Sequence, residues 1–372
     1  MNTLELNRFI VILIHGSLVL LSLLKLSNPL KVNRKANFWF GIFVFLWSSF
    51  WLDEVLSLVT MSEIQIHSIF FVQFIQFLTP IIFYFSVLFY TNPSFKFKLS
   101  DSKYFILPAI FLIILLLLRT VENNSPFFEF LDIIFISLIL IQAFFYTGLS
   151  YITIRKHQKR IQQFSANTEG INLNWLEYII LTIFIINIVY IIYNLSYNST
   201  SLNVFINLAF LGVIYFVAYY SLKQKEIYPV GEKQREELIS INKDSETEEI
   251  KRKLISDEEL LRVKSQLETL METQKPYLDS ELNLIRLSEL LSVSTHHLSY
   301  VINTGFQKNF FQFVNEYRIE YAKKLLKDDS KNRLSILGIA YESGFNSKTS
   351  FNTTFKKLTN QTPSEFKNSS GL

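Results

Sequence analysis

The 372-residue chain has no cysteine, which excludes disulfides, iron–sulfur clusters and thiolate zinc sites. It also has no HExxH metal motif, no glycine-rich phosphate loop and no nucleophile elbow, so no catalytic constellation, cofactor or metal is expected. Charge is scarce, at 18% of residues, whereas aromatics reach 16% and phenylalanine alone accounts for 36 positions. A single soluble domain is not this apolar. The scarcity is uneven: residues 1–222 hold 13 Lys+Arg and 10 Asp+Glu, and residues 223–372 hold 23 and 22. The stretch before the first apolar run has one Arg and one Glu and is followed by no small-residue cleavage site, so no cleaved leader is expected.

The apolar part consists of runs free of Asp, Glu, Lys and Arg at 9–24, 36–52, 69–90, 104–118, 133–154, 178–195 and 202–222. A membrane helix needs about 17–25 apolar residues. The two shortest runs are extended by Lys25, Lys103 and Arg119, which can snorkel to headgroups. The alternation of a membrane β-barrel is absent.

Basic residues fall in every other connection. Lys25, Lys31, Arg34 and Lys35 occupy the first, Lys96, Lys98 and Lys103 the third, and Arg155, Lys156, Lys159 and Arg160 the fifth. Acids dominate the second (Asp53, Glu54, Glu63) and the fourth (Glu122, Glu129, Asp132), while the sixth is uncharged. The positive-inside rule then predicts seven spans with the N-terminus outside and the C-terminus in the cytoplasm. Within the spans, His15, Gln73, Gln76 and Pro80 are the polar or kinking residues. They suit either interhelical hydrogen bonds, the commoner use, or a ligand cavity. Asp53 and Glu54, beside Trp47 and Trp51, read as solvated acids in an aromatic belt.

Residues 223–257 are rich in Glu, Lys and Ser and read as a polar tether. Helical periodicity resumes at Leu260, Val263, Leu267 and Leu270. Two heptads leave a dimerising seam or packing on the following domain open, and their shortness favours packing. Residues 284–304 read as helix, turn, helix, with Leu287, Leu290 and Leu291 lining the first and Leu298, Val301 and Ile302 the second; Ser294 caps the second. Its outer face offers Thr295, His296, Ser299, Tyr300 and Asn303.

A second such unit spans 336–358. Gly344 provides the left-handed turn. Asn346 and Ser347 are cap-competent, and Phe351, Phe355 and Leu358 form an inner face. Its outer face carries Lys348, Thr349, Asn352, Thr353, Lys356 and Lys357. Residues 310–327 form one helix between the units, about 27 Å long, with Phe310, Val314, Arg318, Ala322 and Leu325 near one stripe. Readers spaced in this way suit successive major grooves about 34 Å apart.

The paired units, the intervening NFFQFVNEYRIEYAKKLL and the tail IAYESGFNSKTSFNTTFKKLTNQTPSEF resemble the DNA-binding domain of the AraC/XylS family of bacterial transcription regulators, over about 258–368. The resemblance implies a seven-helix domain reading double-stranded DNA. His296, Ser299 and Tyr300 correspond to its base-reading positions in the first unit, and Lys348, Thr349, Asn352 and Thr353 in the second. It also suggests activation through RNA polymerase, with repression left open. The chain departs from the family pattern at two glycine positions, where it has Gln307 and Asn360.

The expected architecture is all-α: a seven-helix transmembrane bundle (1–222), a linker (223–257) and a cytoplasmic domain with two helix-turn-helix units (258–372). The expected protein is a regulator in the bacterial inner membrane whose DNA binding is controlled by a small-molecule or membrane signal, with a homodimer left open. Its DNA contacts would be His296, Ser299, Tyr300, Asn303, Lys348, Thr349, Asn352, Thr353, Lys356 and Lys357. The alternative is a transporter or membrane enzyme carrying a regulatory DNA-binding tail.

Overall fold

A computed structural model describes residues 3–60, 69–122, 125–196, 201–227, 255–327 and 334–369. Among them the chain is all-α, and its one β element is an isolated antiparallel bridge between Ser165 and Asn283. Most of the expected linker lies outside the described residues. Two compact units emerge: residues 1–156 with 173–227, and residues 157–172 with 228–372.

The first unit contains α1 (Thr3–Ser27), α2 (Arg34–Ser48), α3 (Leu52–Thr60), α4 (Phe70–Thr91), α5 (Ile106–Thr120), most of α6 (Pro126–Ile161), α7 (Asn174–Ser196) and α8 (Ser201–Lys223). Among the described residues, six stretches are long and apolar enough to cross a membrane: Glu5–Ser27, Arg34–Ser57, Phe70–Thr91, Leu99–Thr120, Pro126–Ile161 and Val204–Lys223. The remaining apolar run, 178–195, lies within α7. Large apolar side chains stay exposed along these helices, among them Phe71, Ile133, Phe144 and Phe205. Such a surface suits lipid rather than water.

Packing within the unit is close where side chains are small. A Cβ on Gly41 would come within 2.8 Å of the Leu26 side chain and 3.2 Å of its backbone nitrogen, so glycine sets the approach of α2 to α1. Farther along, Phe77 of α4 stacks on Phe111 of α5 at 3.7 Å between centroids, joined by Leu115 and by Leu138 of α6. His15 Nδ1 lies 3.0 Å from the Ser48 carbonyl, and Gln76 donates to the Ser49 carbonyl at 3.3 Å. Both groups sit where α2 gives way to a tight turn at Ser49–Trp51. These two polar residues of the apolar helices therefore satisfy backbone acceptors between helices.

The second unit contains α9 (Asp257–Thr273), α10 (Leu284–Leu291), α11 (Thr295–Tyr300), α12 (Phe310–Lys327), α13 (Ile336–Glu342), α14 (Lys348–Thr359) and α15 (Pro363–Ser369). Ser256 caps α9 through the Glu259 N–H at 3.1 Å. The predicted stripe Val263, Leu267 and Leu270 is buried, with Val263 packing on Ile255 and Val301. Packing within the domain is thus the use the structure makes of that stripe. Around α12, Ile319, Ala322 and Leu326 form one core with Ile339, Ala340, Phe345, Phe351 and Phe355.

This unit also takes in residues 157–172, which the sequence reads as a connection between two membrane helices. At 36 residues, α6 is about 54 Å long, well beyond the roughly 30 Å of a bilayer core. Its last turn belongs to the second unit.

Candidate nucleic-acid interface

Local chemistry fixes both helix-turn-helix units. In the first, Asn283 caps α10 by accepting from the Arg286 N–H at 3.0 Å, and Ser294 caps α11 by accepting from the His297 N–H at 3.2 Å. Ser292 closes α10 in the left-handed region, at φ 55°. In the second, Ser335 caps α13 through the Gly338 N–H at 3.0 Å, and Ser347 caps α14 through the Ser350 N–H at 3.1 Å. Gly344 has φ +83°, and a Cβ there would lie 2.3 Å from the Tyr277 carbonyl oxygen. No other residue fits that turn.

The outer face of α14 matches expectation at Lys348, Thr349, Thr353, Lys356 and Lys357, which are all exposed. Asn352 is half-buried, and its Oδ1 has no hydrogen-bond partner among the described residues. Leu358, expected on the inner face, is instead exposed. Phe366 of α15 covers Phe355, and Leu358, in the last turn of the helix, runs past that cover.

The first unit departs further from expectation. His296 and Tyr300 are half-exposed and Asn303 is exposed, but Thr295 and Ser299 are buried. One turn apart, Thr295 and Ser299 share the inner face of α11; Thr295 Oγ1 lies 3.5 Å from Ser288 Oγ, and Ser299 accepts from Asn303 Nδ2 at 3.3 Å. Beyond Tyr300 the helix widens into a π-turn at Val301–Gly305. Tyr300 leans on the Ile255–Val263–Val301 cluster. Leu290 is exposed as well, because at 100° per residue it lies about 60° outside the buried arc of Leu284, Ile285 and Leu287.

The two glycine departures adopt the conformation that glycine would supply. Gln307 has φ 56° and Asn360 φ 60°, so the backbone keeps its left-handed turns at a steric cost that asparagine tolerates better than glutamine.

At the centre sits Arg318 of α12, 1% exposed. Its Nε and Nη2 donate to the carbonyls of Tyr277 and Asp279, each at 2.8 Å. Its Nη1 reaches the Ala166 carbonyl at 3.4 Å and Asn315 Oδ1 at 3.3 Å. The guanidinium also faces the Phe345 ring at 5.7 Å. Burial lowers its pKa to about 10, opposed by Asp279 and Glu281, so it stays cationic at neutral pH. One side chain thus ties the segment after α9, the turn of the second unit and residue 166 together. Its place in the apolar stripe of 310–327 was the only sequence signal for this role.

Residues 162–169 gave no such signal, yet they are woven into the domain. The Phe164 carbonyl accepts from the Leu284 N–H at 2.9 Å, and the Ala166 N–H donates to the Leu282 carbonyl at 3.4 Å. The Gln162 carbonyl accepts from the Phe311 N–H at 2.9 Å, serving an otherwise orphaned donor in the first turn of α12. Asn315 Nδ2 donates to the Ala166 carbonyl at 3.0 Å. Ser347 donates its hydroxyl hydrogen to the Glu169 carboxylate, which sets an acid on the N-terminus of α14.

Comparison with known proteins agrees with this geometry. Residues 287–369 match the family described as a helix-turn-helix domain. An uncharacterized HTH-type transcriptional regulator of Staphylococcus aureus (strain COL) is 38% identical over 87 residues, covering 23% of this chain and 11% of that protein. The HTH-type transcriptional regulator GlxA of Rhizobium meliloti (strain 1021) is 31% identical over 101 residues, covering 27% of this chain and 30% of that protein. The chain therefore spans about a tenth of the length of the first relative and under a third of the second. No solved structure matches. The C-terminal region of this chain carries an AraC-type helix-turn-helix domain of the kind found in HTH-type transcriptional regulators.

Proposed function

We propose that the protein is a membrane-bound, one-component transcription regulator: seven helices in the bacterial inner membrane receive a signal, and the two helix-turn-helix units bind a promoter. The carrying observation is the exposed polar face of α14, capped by Ser347 and bearing Lys348, Thr349, Thr353, Lys356 and Lys357, on a chain whose described residues include six stretches apolar enough for a bilayer. Lys356, Lys357 and the helix N-termini hold phosphates. Lys348, Thr349, Asn352 and Thr353, with His296, Tyr300 and Asn303, read base edges. Ser299 acts from beneath, holding Asn303. The basic connections favour a cytoplasmic C-terminal domain, where RNA polymerase is its partner and a second copy of the chain can share the promoter.

Residues 157–172 support control from the membrane. They comprise the last turn of α6 and the connection to α7, and are hydrogen-bonded into the domain beside Arg318 and Ser347.

Chromatin immunoprecipitation of the full-length protein should enrich discrete promoter regions, and a flat profile would sink the regulator reading. A reporter active only in the cytoplasm should work when fused after His157 and be silent after Asn198. Equal signals at the two sites would break the seven-span orientation.

A further inference from the structure

A cavity of about 1080 Å³ opens in the first unit between the connection that follows α1 and the one that follows α4. Four cations line it (Lys31, Arg34, Lys35 and Lys96), and no acid does. Its walls are aromatic. Trp39 stacks on Phe89 at 6.2 Å and meets Phe97 edge-on at 6.0 Å; Phe95 lies 5.2 Å from Phe97. Lys35 extends over the Phe89 ring at 5.9 Å. Among the described residues none of the four cations has a carboxylate partner.

The connection 28–33 is built into its shape. Asn28, Lys31 and Asn33 all have positive φ, at 43°, 54° and 47°, a conformation that costs free energy at each residue and persists only where its surroundings enforce it. The enforcement is visible in buried Asn37. Its Nδ2 donates to Asn28 Oδ1 at 3.1 Å and to the Val32 carbonyl at 2.8 Å. Its Oδ1 accepts from Tyr90 at 2.6 Å and from buried Lys25 at 3.3 Å. Membrane orientation needs only that basic residues lie on the cytoplasmic side. It does not require two connections to converge on one apolar cavity, nor a strained backbone to hold them there.

We infer that this cavity binds an acidic phospholipid of the cytoplasmic leaflet. The phosphate headgroup lies among Lys31, Arg34, Lys35 and Lys96, and the acyl chain runs along Phe38 and Trp39. Charge selects the headgroup, the aromatic wall selects an amphiphile over a free anion, and the cavity's place at the ends of the apolar helices α1, α2 and α4 selects a bilayer component. This inference rests on the reading of the apolar helices as membrane spans, and it names the class of membrane signal that the regulator meets.

The test uses the full-length protein in nanodiscs of phosphatidylcholine doped with brominated phosphatidylglycerol or brominated phosphatidylcholine. Bromine quenches nearby tryptophan, and Trp39 lines the cavity. Brominated phosphatidylglycerol should quench more strongly than its zwitterionic counterpart. The excess should vanish in Trp39→Phe, which leaves Trp47, Trp51 and Trp175 as internal references. Each cation replaced by glutamine (K31Q, R34Q, K35Q, K96Q) should weaken the preference about fivefold, following the worth of one basic residue at a charged membrane surface. Circular dichroism of the same samples checks that the helices persist, and K35Q serves if another of the single variants unfolds. Equal quenching by the two lipids, or an excess that survives K35Q and Trp39→Phe, overturns the site. Loss of the excess on adding inorganic phosphate at constant ionic strength shows a free-anion site and overturns the lipid assignment. DNA binding is measured on the same discs: its absence everywhere condemns the regulator reading and leaves the lipid preference standing.

Discussion

Replacing Glu169 by glutamine should tighten DNA binding. The Glu169 carboxylate takes the Ser347 hydroxyl hydrogen bond at the head of α14, and the Ser347 oxygen in turn caps the Ser350 N–H at 3.1 Å. A helix N-terminus attracts anions, at about 0.3–1 kcal/mol for an exposed group, and the DNA backbone is the anion that a recognition helix must meet. The carboxylate therefore occupies the position and repels the phosphate that would replace it. Two unit charges about 6 Å apart repel by roughly 0.7 kcal/mol in bulk water and by more near a protein surface. Displacement and repulsion together come to about 1 kcal/mol, or roughly fivefold in affinity. Glutamine keeps the hydrogen bond and removes the charge. Fluorescence anisotropy of a labelled duplex with the full-length protein in nanodiscs measures the effect. Arbitrary sequence suffices, because the phosphate term is sequence-independent. Glu169→Gln should bind about fivefold tighter at low salt, with the gap closing as salt is raised. Affinity equal to or below wild type at low salt would refute the reasoning.

Lys356→Ala with Lys357→Ala should weaken binding to all duplexes and flatten the slope of log affinity against log salt by about 1.8, at roughly 0.9 for each phosphate no longer neutralised; Tyr300→Ala should instead weaken only the specific site, and an unchanged slope in the lysine variant would reassign the phosphate grip. Arg318→Leu strands the carbonyls of Tyr277 and Asp279, while the Ala166 carbonyl keeps its bond from Asn315, and at about 1–3 kcal/mol for each unsatisfied buried group it should lose several kcal/mol; hydrogen exchange of the Leu284 and Phe311 amides, which pair with 164 and 162, should become fast. Gln307→Gly relieves a left-handed φ of 56° and should stabilise the domain by about 1 kcal/mol, read as a raised melting temperature, whereas the same change at Asn360 should do less.

Periodicity and local chemistry carried much of the fold into view. The apolar runs that became α1, α2, α4, α5, α6, α7 and α8, the caps Ser294 and Ser347, the turn at Gly344 and the long helix from Phe310 to Lys327 all depend on residues close in the chain. Such signals survive without knowledge of what lies across the fold. The exposed lysines of α14 belong with them, since nothing packs on a face that is polar throughout.

Tertiary structure decided what lies beneath. Thr295 and Ser299 read as surface residues because they are polar, yet the short α11 turns them onto Ser288 and Asn303. Burial of a small hydroxyl depends on a neighbour 7 residues away, not on its own type. The insertion of 157–172 was beyond any pattern in the sequence, because the bonds that anchor it to Leu282, Leu284 and Phe311 run from its backbone. Backbone donors and acceptors are the same at every residue, so the sequence cannot mark which strangers they will meet. Arg318 lies between these cases. Its place in an apolar stripe showed that it would be buried, but only the fold supplied the three carbonyls that make burial of its charge tolerable.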